Sequence, residues 1–462
     1  MSTIAAIATP PGSGGIGIVR LCGPRAKDIL AQMFLPFSSR FENFHPWMLY
    51  RGRVLDENGD ALDDVLAVSM PGPHTFTGED MAEIHCHGGA FIVRSVLSKI
   101  LSLGARQAER GEFSRRAFLN GRMDLSQAEA VAEMIAAPSR EALCYSLKRL
   151  DGLLGRRVTA LREELDNLRS QICLAVDFPE DDADCPPPEA FVTAVESVSA
   201  AVRSLLAGQR RARLMQQGAA VVLAGAVNVG KSSLLNALLG RKRALVTEHP
   251  GTTRDFLEEL CDLDGLPVRL TDTAGLRTIA EPVETLGVAA GREKIRAADA
   301  VVVVLDGASL GETGAAAADC PDPAVSEVLK LASGKPVLFV WNKRDICMPS
   351  AFPPPWTSGY PYCSVSALTG EGVEEFAESL RAVALDGSNA TDDMAPNLRQ
   401  ATALEDALAE LGELKADIKT GQTYDCCAAR LETAAARLGD VTGVVSSAEV
   451  LNRVFENFCI GK

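Results

Sequence analysis

The stretch Gly225-Ala-Val-Asn-Val-Gly-Lys-Ser232 decides the fold of this chain. An apolar run, residues 219–224, precedes it, and a helix-like segment, residues 233–239, follows it. The pattern predicts a P-loop, because its glycines let backbone N–H groups curl around phosphates, its lysine can reach the β and γ oxygens, and its serine hydroxyl can bind Mg2+. Strand, loop and helix stand in the order that the motif requires, so the stretch predicts a nucleotide-binding α/β domain.

The composition limits the class of protein. A chain of 462 residues should hold about two to four domains. Its 46 basic and 61 acidic residues give a net charge of -15, which argues against generic nucleic-acid binding, although local basic patches could hold a structured RNA. Twelve cysteines occur without C-x-x-C spacing and residues 1–20 lack a signal-peptide pattern, which predicts a reducing cytoplasm. No apolar run approaches about 20 residues, so we expect no membrane-spanning helix.

Residues 1–120 mix short apolar runs with turns, which predicts an α+β domain. Residues 12–17 fit the pattern G-x-G-x-x-G of a dinucleotide site. A Rossmann turn needs a strand before it and a helix after it, whereas two prolines precede this pattern and the strand-like residues 18–21 follow it. The sequence therefore disfavours a Rossmann site here.

Two clusters could suggest a metal site. In His85-Cys86-His87, adjacent residues of a strand would point to alternating faces, which favours a structural role. Residues 177–182 are rich in carboxylates, but Pro179 and the lack of a partner cluster favour a solvated loop that ends a helix. We expect neither cluster to bind a metal.

Helical patterns occupy two separate blocks. In the first, Ser126 and Glu129 predict a capping box for a helix over residues 127–135, an apolar stripe over residues 147–172 predicts one long helix, and a further helix is expected over residues 189–213. Helices resume after residue 397, and the last one follows a predicted Ser446/Glu449 capping box. The two blocks predict one discontinuous helical bundle, with an α/β domain inserted at a turn where its two ends lie close together.

The inserted block alternates buried strands with helices, as in a doubly wound sheet. The predicted strands are residues 219–224, 268–271, 301–305, 336–341 and 362–365. Segments 307–323 and 349–361 are rich in Gly, Ala and Pro, which predicts surface loops.

Four motifs follow the P-loop in GTPase order. A threonine of Gly251-Thr-Thr-Arg-Asp255 can complete Mg2+ coordination, and Asp272-Thr-Ala-Gly275 puts a carboxylate near the metal and an N–H against the γ-phosphate. In Asn342-Lys-Arg-Asp345 the aspartate can accept two N–H groups that guanine has and adenine lacks, and Ser366-Ala-Leu368 would close over the base. The predicted GTP-binding residues are Asn228, Val229, Gly230, Lys231, Ser232, Ser233, Thr247, Glu248, His249, Pro250, Gly251, Thr252, Thr253, Asp272, Thr273, Ala274, Gly275, Asn342, Lys343, Asp345, Ser366, Ala367 and Leu368. Of these, residues 247–250 are implied only by the family resemblance given below.

One expected catalytic residue is missing from this set. Ras-like enzymes orient the attacking water with a glutamine directly after the D-x-x-G motif, and this chain has Leu276 at that place. Hydrolysis must therefore use another group.

With these motifs in view, the chain resembles the MnmE (also TrmE) family of tRNA modification GTPases along nearly its whole length. The resemblance rests on the inserted GTPase block and on Ala8-Thr-Pro-Pro-Gly12, Phe76-Thr-Gly-Glu-Asp80, Gly111-Glu-Phe-Ser114 and the ending Phe458-Cys-Ile-Gly-Lys462. The P-loop departs slightly, because the family commonly has proline where this chain has Val227.

The resemblance implies a multidomain fold: an α+β N-terminal folate-binding domain, a discontinuous α-helical bundle and an inserted α/β P-loop GTPase domain of the Ras-like kind. The implied boundaries are residues 1–121 for the tetrahydrofolate-binding and dimerisation domain, 122–215 for the first helical part, 216–381 for the G domain, and 382–462 for the second helical part with its C-terminal CIGK sequence.

The resemblance also implies a function. Family members form a homodimer and act with the FAD- and NADH-dependent protein MnmG, in a heterotetramer or larger complex, on the wobble uridine (U34) of certain tRNAs in the cytoplasm. They install an aminomethyl or carboxymethylaminomethyl group at C5, using a one-carbon unit of 5-formyl- or 5,10-methylene-tetrahydrofolate. The matching folate positions are Arg20, Glu83, Arg122 and Lys462. Cys459 is a candidate thiol for uridine chemistry, with inert packing as the alternative.

For GTP hydrolysis the resemblance implies Mg2+ bound through Ser232 and Thr253, and K+ bound through Asn228, Thr247, His249 and Thr252. The K+ ion would replace an arginine finger, for which Arg254, Arg277 and Arg241-Lys-Arg243 are competing candidates. Glu284 would organise the attacking water, although a glutamate behind Pro282 could equally be a solvated residue at a helix start. The expected catalytic residues are thus Glu284, Lys231, Asn228, Asp272 and Cys459.

A different reading is a GTP-operated switch for ribosome assembly or transport. Relatives of those kinds carry a KH domain or membrane helices, and neither is predicted from this sequence.

Overall fold

The computed structural model describes residues 2–177, 187–242, 258–272, 284–307, 322–346, 354–385, 394–445 and 447–461. The chain divides into two compact units. The first contains Met1–Ala132, Arg149–Val195 and Ala409–Lys462, and the second contains Glu133–Lys148 and Glu196–Leu408. Because this division cuts through several helices, the four domain boundaries expected from the sequence remain predictions.

The N-terminal part of the first unit is built on a seven-stranded sheet in the order β3-β4-β5-β6-β2-β1-β7. The strands are β1 Ile4–Ile7, β2 Gly14–Cys22, β3 Phe34–Pro36, β4 Tyr50–Leu55, β5 Ala61–Met70, β6 Met81–Gly88 and β7 Arg106–Gln107. Only the β1–β7 pair is parallel in this sheet. Three of the four glycines in residues 12–17 lie within strand β2, and no helix begins there, which rejects the Rossmann alternative.

The two faces of this sheet differ. Helices α1 Ala26–Met33 and α2 Ala90–Ser102 bury their apolar sides against one face, whose β2 residues are Val19 and Leu21. The other face carries a smaller cluster with Cys22 and with Phe113 of helix α3 Glu112–Leu119. Since side chains alternate along a strand, Arg20 lies on this second face. The α+β prediction for this part of the chain is confirmed.

Within its described residues, the first helical block contains five further helices: α4 Leu125–Ile135, α5 Arg140–Leu150, α6 Leu153–Asp177, α7 Pro188–Ala207 and α8 Gln209–Gln217. Two predictions of single long helices were wrong. The stripe over residues 147–172 is interrupted at Gly152, whose φ of 74° is left-handed and ends α5. The helix expected over residues 189–213 is divided between α7 and α8, which are separated by Gly208.

Both predicted capping boxes are also corrected. Helix α4 begins earlier than expected because Asp124 caps it: its Oδ1 accepts from Gln127 N at 2.8 Å, while Gln127 Oε1 accepts from Asp124 N at 3.0 Å. Glu129 is buried in the helix instead. Ser446 lies outside the described residues, and Ser447 caps the last helix through its Oγ, which accepts from Val450 N.

The inserted block has a sheet of six described strands in the order β13-β12-β11-β8-β10-β9. They are β8 Ala219–Ala224, β9 Glu258–Leu263, β10 Leu266–Asp272, β11 Ala300–Asp306, β12 Val337–Asn342 and β13 Tyr362–Ser364. All neighbours are parallel except β9 and β10. Strand β9, an antiparallel edge strand, was not predicted from the sequence, whereas the other strands match their predictions. Both faces bury apolar clusters, as expected of a doubly wound sheet.

Four helices accompany this sheet within the described residues: α9 Lys231–Lys242, α10 Glu284–Ala297, α11 Pro323–Leu331 and α12 Val373–Ala384. The second helical block then follows with α13 Leu398–Lys419, α14 Tyr424–Thr442 and α15 Ala448–Glu456. Helix α14 packs along α6, so helices from the two blocks pack on each other as a discontinuous helical domain requires.

The two ends of the inserted block meet at one side chain. The Glu133 carboxylate accepts from Gln216 Nε2 at 2.8 Å and from Asn397 Nδ2 at 3.1 Å. Gln216 lies just before β8, and Asn397 caps α13 in a reciprocal pair with Gln400. The prediction that the ends of the inserted domain lie close together is therefore confirmed.

One helical stretch bears on the membrane prediction. Within the described residues, Glu189–Gln217 is long and apolar enough to cross a membrane by length and composition, with a mean hydropathy of 1.4 in its most apolar window. The expectation that no helix would qualify thus has one exception. A single such helix is weak evidence for a membrane span, because the core helices of other proteins meet the same criteria. In this stretch, buried residues recur at helical spacing, as in a helix that packs one side against a core: Phe191, Val195, Val198, Val202 and Leu205.

Candidate functional site

The P-loop joins the end of β8 to the start of α9, as the sequence predicts. Its conformation needs both glycines: Gly225 has φ 146° and Gly230 has φ 92°. A Cβ on Gly225 would lie 2.2 Å from the Val304 carbonyl oxygen, and one on Gly230 would lie 2.2 Å from Asn342 Nδ2. The loop therefore packs so closely on its neighbours that no side chain fits at either place. The first helical N–H groups point into the loop, where they can bind phosphate.

Lys231 lies folded over this loop. Its Nζ donates to the carbonyl oxygens of Gly225 at 3.0 Å and Ala226 at 2.7 Å, and the residue is 5% exposed. The ammonium group is thus held at the mouth of the loop by backbone oxygens. This placement suits a cation that binds the terminal phosphates of a nucleotide.

Ser232 and Asp272 meet beside the loop. Ser232 Oγ donates to Asp272 Oδ2 at 2.5 Å, and Asp272 is the last residue of β10, which runs parallel to β8. A hydroxyl and a carboxylate at this distance form an oxygen donor set of the kind that Mg2+ prefers. The residues present therefore fit the predicted magnesium site, whose other expected ligand, Thr253, lies outside the described residues.

Asn342 joins three of the predicted motifs. It is 2% exposed, its Nδ2 donates to the Val229 carbonyl at 2.9 Å, and its Oδ1 accepts from Ala367 N at 3.0 Å. The side chain thus ties the P-loop to the Ser366-Ala-Leu368 segment. Its position at the end of β12 was predicted, but this linking role was not, because both partners are distant in sequence.

Around the predicted base site, Asp345 is exposed. Asp345 lies in the turn after β12, where its carboxylate is open to solvent. Lys343, at φ 66°, donates from Nζ to Asp306 Oδ2 at 2.6 Å, a partner that the sequence analysis missed. Ser366 is buried and accepts from Thr369 N at 3.1 Å, whereas Leu368 is 86% exposed.

Several predicted residues lie outside the described part of the chain. They are residues 247–253 of the first switch segment, residues 273–275 of the D-x-x-G motif, and Lys462. Glu284 is the first residue of α10, but its side chain is not described. Asn228, at φ 65°, is exposed on the P-loop, as are Ser232 and Ser233, while Val229 is buried.

Two of the predicted folate residues form a pair across neighbouring strands. Arg20 on β2 lies opposite Glu83 on β6, and its Nε donates to Glu83 Oε1 at 2.8 Å. Both side chains are largely buried, at 23% and 16% exposed. The sequence implied these positions only through the resemblance, because their pairing requires the register of the sheet.

The C-terminal segment runs to this pair. Ile460 pairs antiparallel with Arg110, and Arg20 Nη1 donates to the Gly461 carbonyl at 3.4 Å. Cys459 is exposed, and its carbonyl accepts from Gly111 N at 3.4 Å. The exposure of Cys459 leaves its thiol accessible to reagents. The end of the chain therefore lies beside the strand that carries Arg20.

Arg122 is exposed next to the loop over residues 75–80, where its Cγ lies 3.3 Å from the place of a Cβ on Gly78. That loop is anchored by Glu79, whose Oε2 accepts from Arg116 Nη1 at 2.9 Å. The same loop contacts Cys22 through Thr77 Oγ1, at 3.1 Å from the Cys22 sulfur.

The His85-Cys86-His87 segment alternates between faces, as predicted. Cys86 lies in the helix-covered core, where burial raises the pKa of its thiol to about 11. His87 Nδ1 is 2.7 Å from Asp63 Oδ1, and His85 Nε2 is 3.2 Å from Glu83 Oε2. The contact of His85 with Glu83 was not predicted from the sequence, although a residue two positions after Glu83 in a strand must share its face.

The chain matches models of known protein families. A model described as GTP-binding protein TrmE N-terminus matches residues 3–122, and one described as MnmE helical domain matches residues 125–459. A tRNA modification GTPase MnmE from Nitratidesulfovibrio vulgaris is 52% identical, over 100% of this chain and 99% of the relative. One from Lawsonia intracellularis is 46% identical over the same shares. The solved G domain of the T. maritima FeoB iron transporter is 28% identical over 36% of this chain and 98% of that chain, with a TM-score of 0.26.

Proposed function

Because the chain belongs to the MnmE family of tRNA modification GTPases, we propose that it modifies the wobble uridine of certain tRNAs with a folate one-carbon unit. The chain is a GTP-hydrolysing enzyme that acts in tRNA modification. We propose that the protein installs an aminomethyl or carboxymethylaminomethyl group at C5 of U34. It would do so together with an FAD- and NADH-dependent partner of the MnmG kind, in a heterotetramer or larger complex.

The Arg20–Glu83 pair is the observation that carries this proposal. A largely buried carboxylate beside a guanidinium on one sheet face suits the pterin ring, whose N–H groups can donate to Glu83. The carboxylate tail of a folate can pair with Arg20, Arg122 or Lys462. The approach of the Gly461 carbonyl to Arg20 supports a role for the C-terminus in the same site, and Cys459 is proposed as the thiol that acts on the uridine.

We propose that the protein is a homodimer formed through the N-terminal sheet. The face that carries Glu83 continues outward with exposed apolar residues: Ile16 is 66% exposed, Leu66 is 42% exposed and Leu35 is 49% exposed. Strand register puts Leu66 opposite His85 and Ile16 opposite His87, so these two residues lie near the proposed folate pair. A second copy would remove this apolar surface from water and complete the folate site.

For GTP hydrolysis, the P-loop N–H groups and Lys231 would bind the phosphates, while Ser232 with Thr253, and Asp272 in the outer shell, would hold Mg2+. When bound, Mg2+ neutralises charge on the β and γ oxygens. Asn228 is exposed on the loop, where its amide oxygen can serve as a K+ ligand together with Thr247, His249 and Thr252. Glu284 begins α10 and would orient the water.

We also propose a cytoplasmic location. The nine cysteines within the described residues are all free, and five of them are buried. Free thiols in this number suit a reducing compartment.

The test is mass analysis of U34 in tRNA from a strain that lacks this gene. We expect the modification to disappear and to return with the wild-type gene or with Glu42→Gln, a control at an exposed glutamate of the same domain. Glu83→Gln should not restore it, because an amide has one acceptor oxygen and cannot accept one N–H donor on each of two oxygens as the carboxylate does. Unchanged U34 in the deletion strain would refute the function, and restoration by Glu83→Gln would refute the folate assignment.

A further inference from the structure

We propose that His85 is a positioning residue of the folate site, which orients the Glu83 carboxylate for the pterin ring; this inference rests on the proposed function. The two residues lie at alternate positions of β6, so both side chains stand on the sheet face that carries Arg20. No role for His85 follows from the sequence resemblance.

The Glu83 carboxylate is held from both sides. Its Oε1 accepts from Arg20 Nε at 2.8 Å, and its Oε2 lies 3.2 Å from His85 Nε2. The partners come from different strands, so together they fix both the position of the group and the rotation of its plane. Removal of His85 would leave a carboxylate that is held at one oxygen and free to turn about its last bond.

Hydrogen-bond capacity supports this reading. An ionised carboxylate offers about four acceptor positions on its two oxygens. Arg20 and His85 occupy one on each oxygen, which leaves one on each oxygen for an incoming ligand. A pterin presents two neighbouring N–H donors, so a carboxylate with one open position on each oxygen matches it only when its plane is fixed.

The surroundings of His85 favour a hydrogen bond to Glu83 over one to water. On the flanking strands the residues directly opposite are apolar: Ile18 on β2 and Leu66 on β5. The His85 side chain is 26% exposed, whereas that of His87, which pairs with Asp63, is 67% exposed. Of these two histidines, His85 is the one that contacts Glu83.

The test is calorimetric binding of 5-formyl-tetrahydrofolate to the full-length protein. His85→Leu keeps the side-chain volume and removes the donor, and His85→Gln keeps an N–H donor that can reach Glu83. We expect His85→Leu to weaken binding about ten- to a hundredfold, as for loss of a hydrogen bond to a charged group, and His85→Gln to retain most of the affinity. The control is His45→Leu at an exposed histidine between β3 and β4.

A double-variant comparison separates positioning from general damage. If His85 acts through Glu83, His85→Leu should add little to the loss caused by Glu83→Gln alone. The inference is overturned if His85→Leu binds like the wild type, if His85→Gln loses as much affinity as His85→Leu, or if the two losses add fully. Absence of folate binding by the wild-type protein would instead refute the proposed function itself.

Discussion

Replacing Asn342 by alanine should loosen two nucleotide-binding segments at once. The side chain is 2% exposed and makes two hydrogen bonds, to the Val229 carbonyl at 2.9 Å and from Ala367 N at 3.0 Å. Each orphaned buried backbone group costs about 1 to 3 kcal/mol, so for the two groups we expect a total loss of stability of about 2 to 6 kcal/mol. Because the P-loop and the segment after Val365 would surround GTP, we expect the free energy of GTP binding to weaken by at least about 2 kcal/mol. That loss corresponds to about thirtyfold weaker affinity.

The measurement is titration of a fluorescent GTP analogue in the presence of Mg2+. Asn236→Ala is the matched control, because Asn236 is an exposed asparagine on α9 of the same domain. Its affinity should equal that of the wild type. The proposed linking role of Asn342 is wrong if the affinity of Asn342→Ala for the analogue is within about threefold of that of the wild type. A difference of that size is smaller than the loss of one buried hydrogen bond would cause.

Four further outcomes are expected. Asp345→Asn should weaken GTP binding about a hundredfold, since guanine would lose two bonds to a charged acceptor, while the thermal midpoint stays unchanged because the residue is exposed; equal affinity would contradict this. GTPase turnover should rise when K+ replaces Na+ at constant ionic strength, and Asn228→Ala should abolish the difference while GTP still binds; equal wild-type rates in both salts would exclude the K+ mechanism. Glu284→Ala should keep GTP binding and lose about a hundredfold or more in kcat; an unchanged kcat would move the role elsewhere. Burial raises the pKa of the Cys261 thiol to about 12, from a usual 9.0. At pH 8, Cys261 should therefore be alkylated about a thousandfold more slowly in the folded protein than in the unfolded chain, as followed by mass spectrometry. Equal rates would show that the thiol is not buried.

The sequence alone determined the elements whose causes are local. The run Ala219–Ala224 is apolar throughout because a central parallel strand is buried on both faces, and it is a strand in the structure. The two P-loop glycines and the Lys-Ser pair specify a phosphate-binding turn without reference to the rest of the chain. Asp272 and Asn342 follow their strands by simple continuity, which puts them at the same edge of a parallel sheet.

Local signals failed where a nearby competitor decided the outcome. The sequence predicted Ser126 as the cap of α4, but the reciprocal bonds between Asp124 and Gln127 start the helix two residues earlier. The apolar stripe continues through Gly152, but that residue takes a left-handed conformation and ends the helix. Edge strand β9 has a weak pattern of its own and exists through its antiparallel pairing with β10.

Only the tertiary structure decided which distant residues meet. Arg20 and Glu83 are 63 residues apart and become partners through the register of β2 and β6, which a shift of one residue would destroy. The approach of Gly461 to Arg20, the bonds of Asn342 to Val229 and Ala367, and the meeting of Gln216 with Asn397 at Glu133 likewise join segments that share no local pattern. The physical reason is that strand register and helix packing depend on the whole buried surface, whereas turns, caps and single strands depend on a few neighbouring side chains.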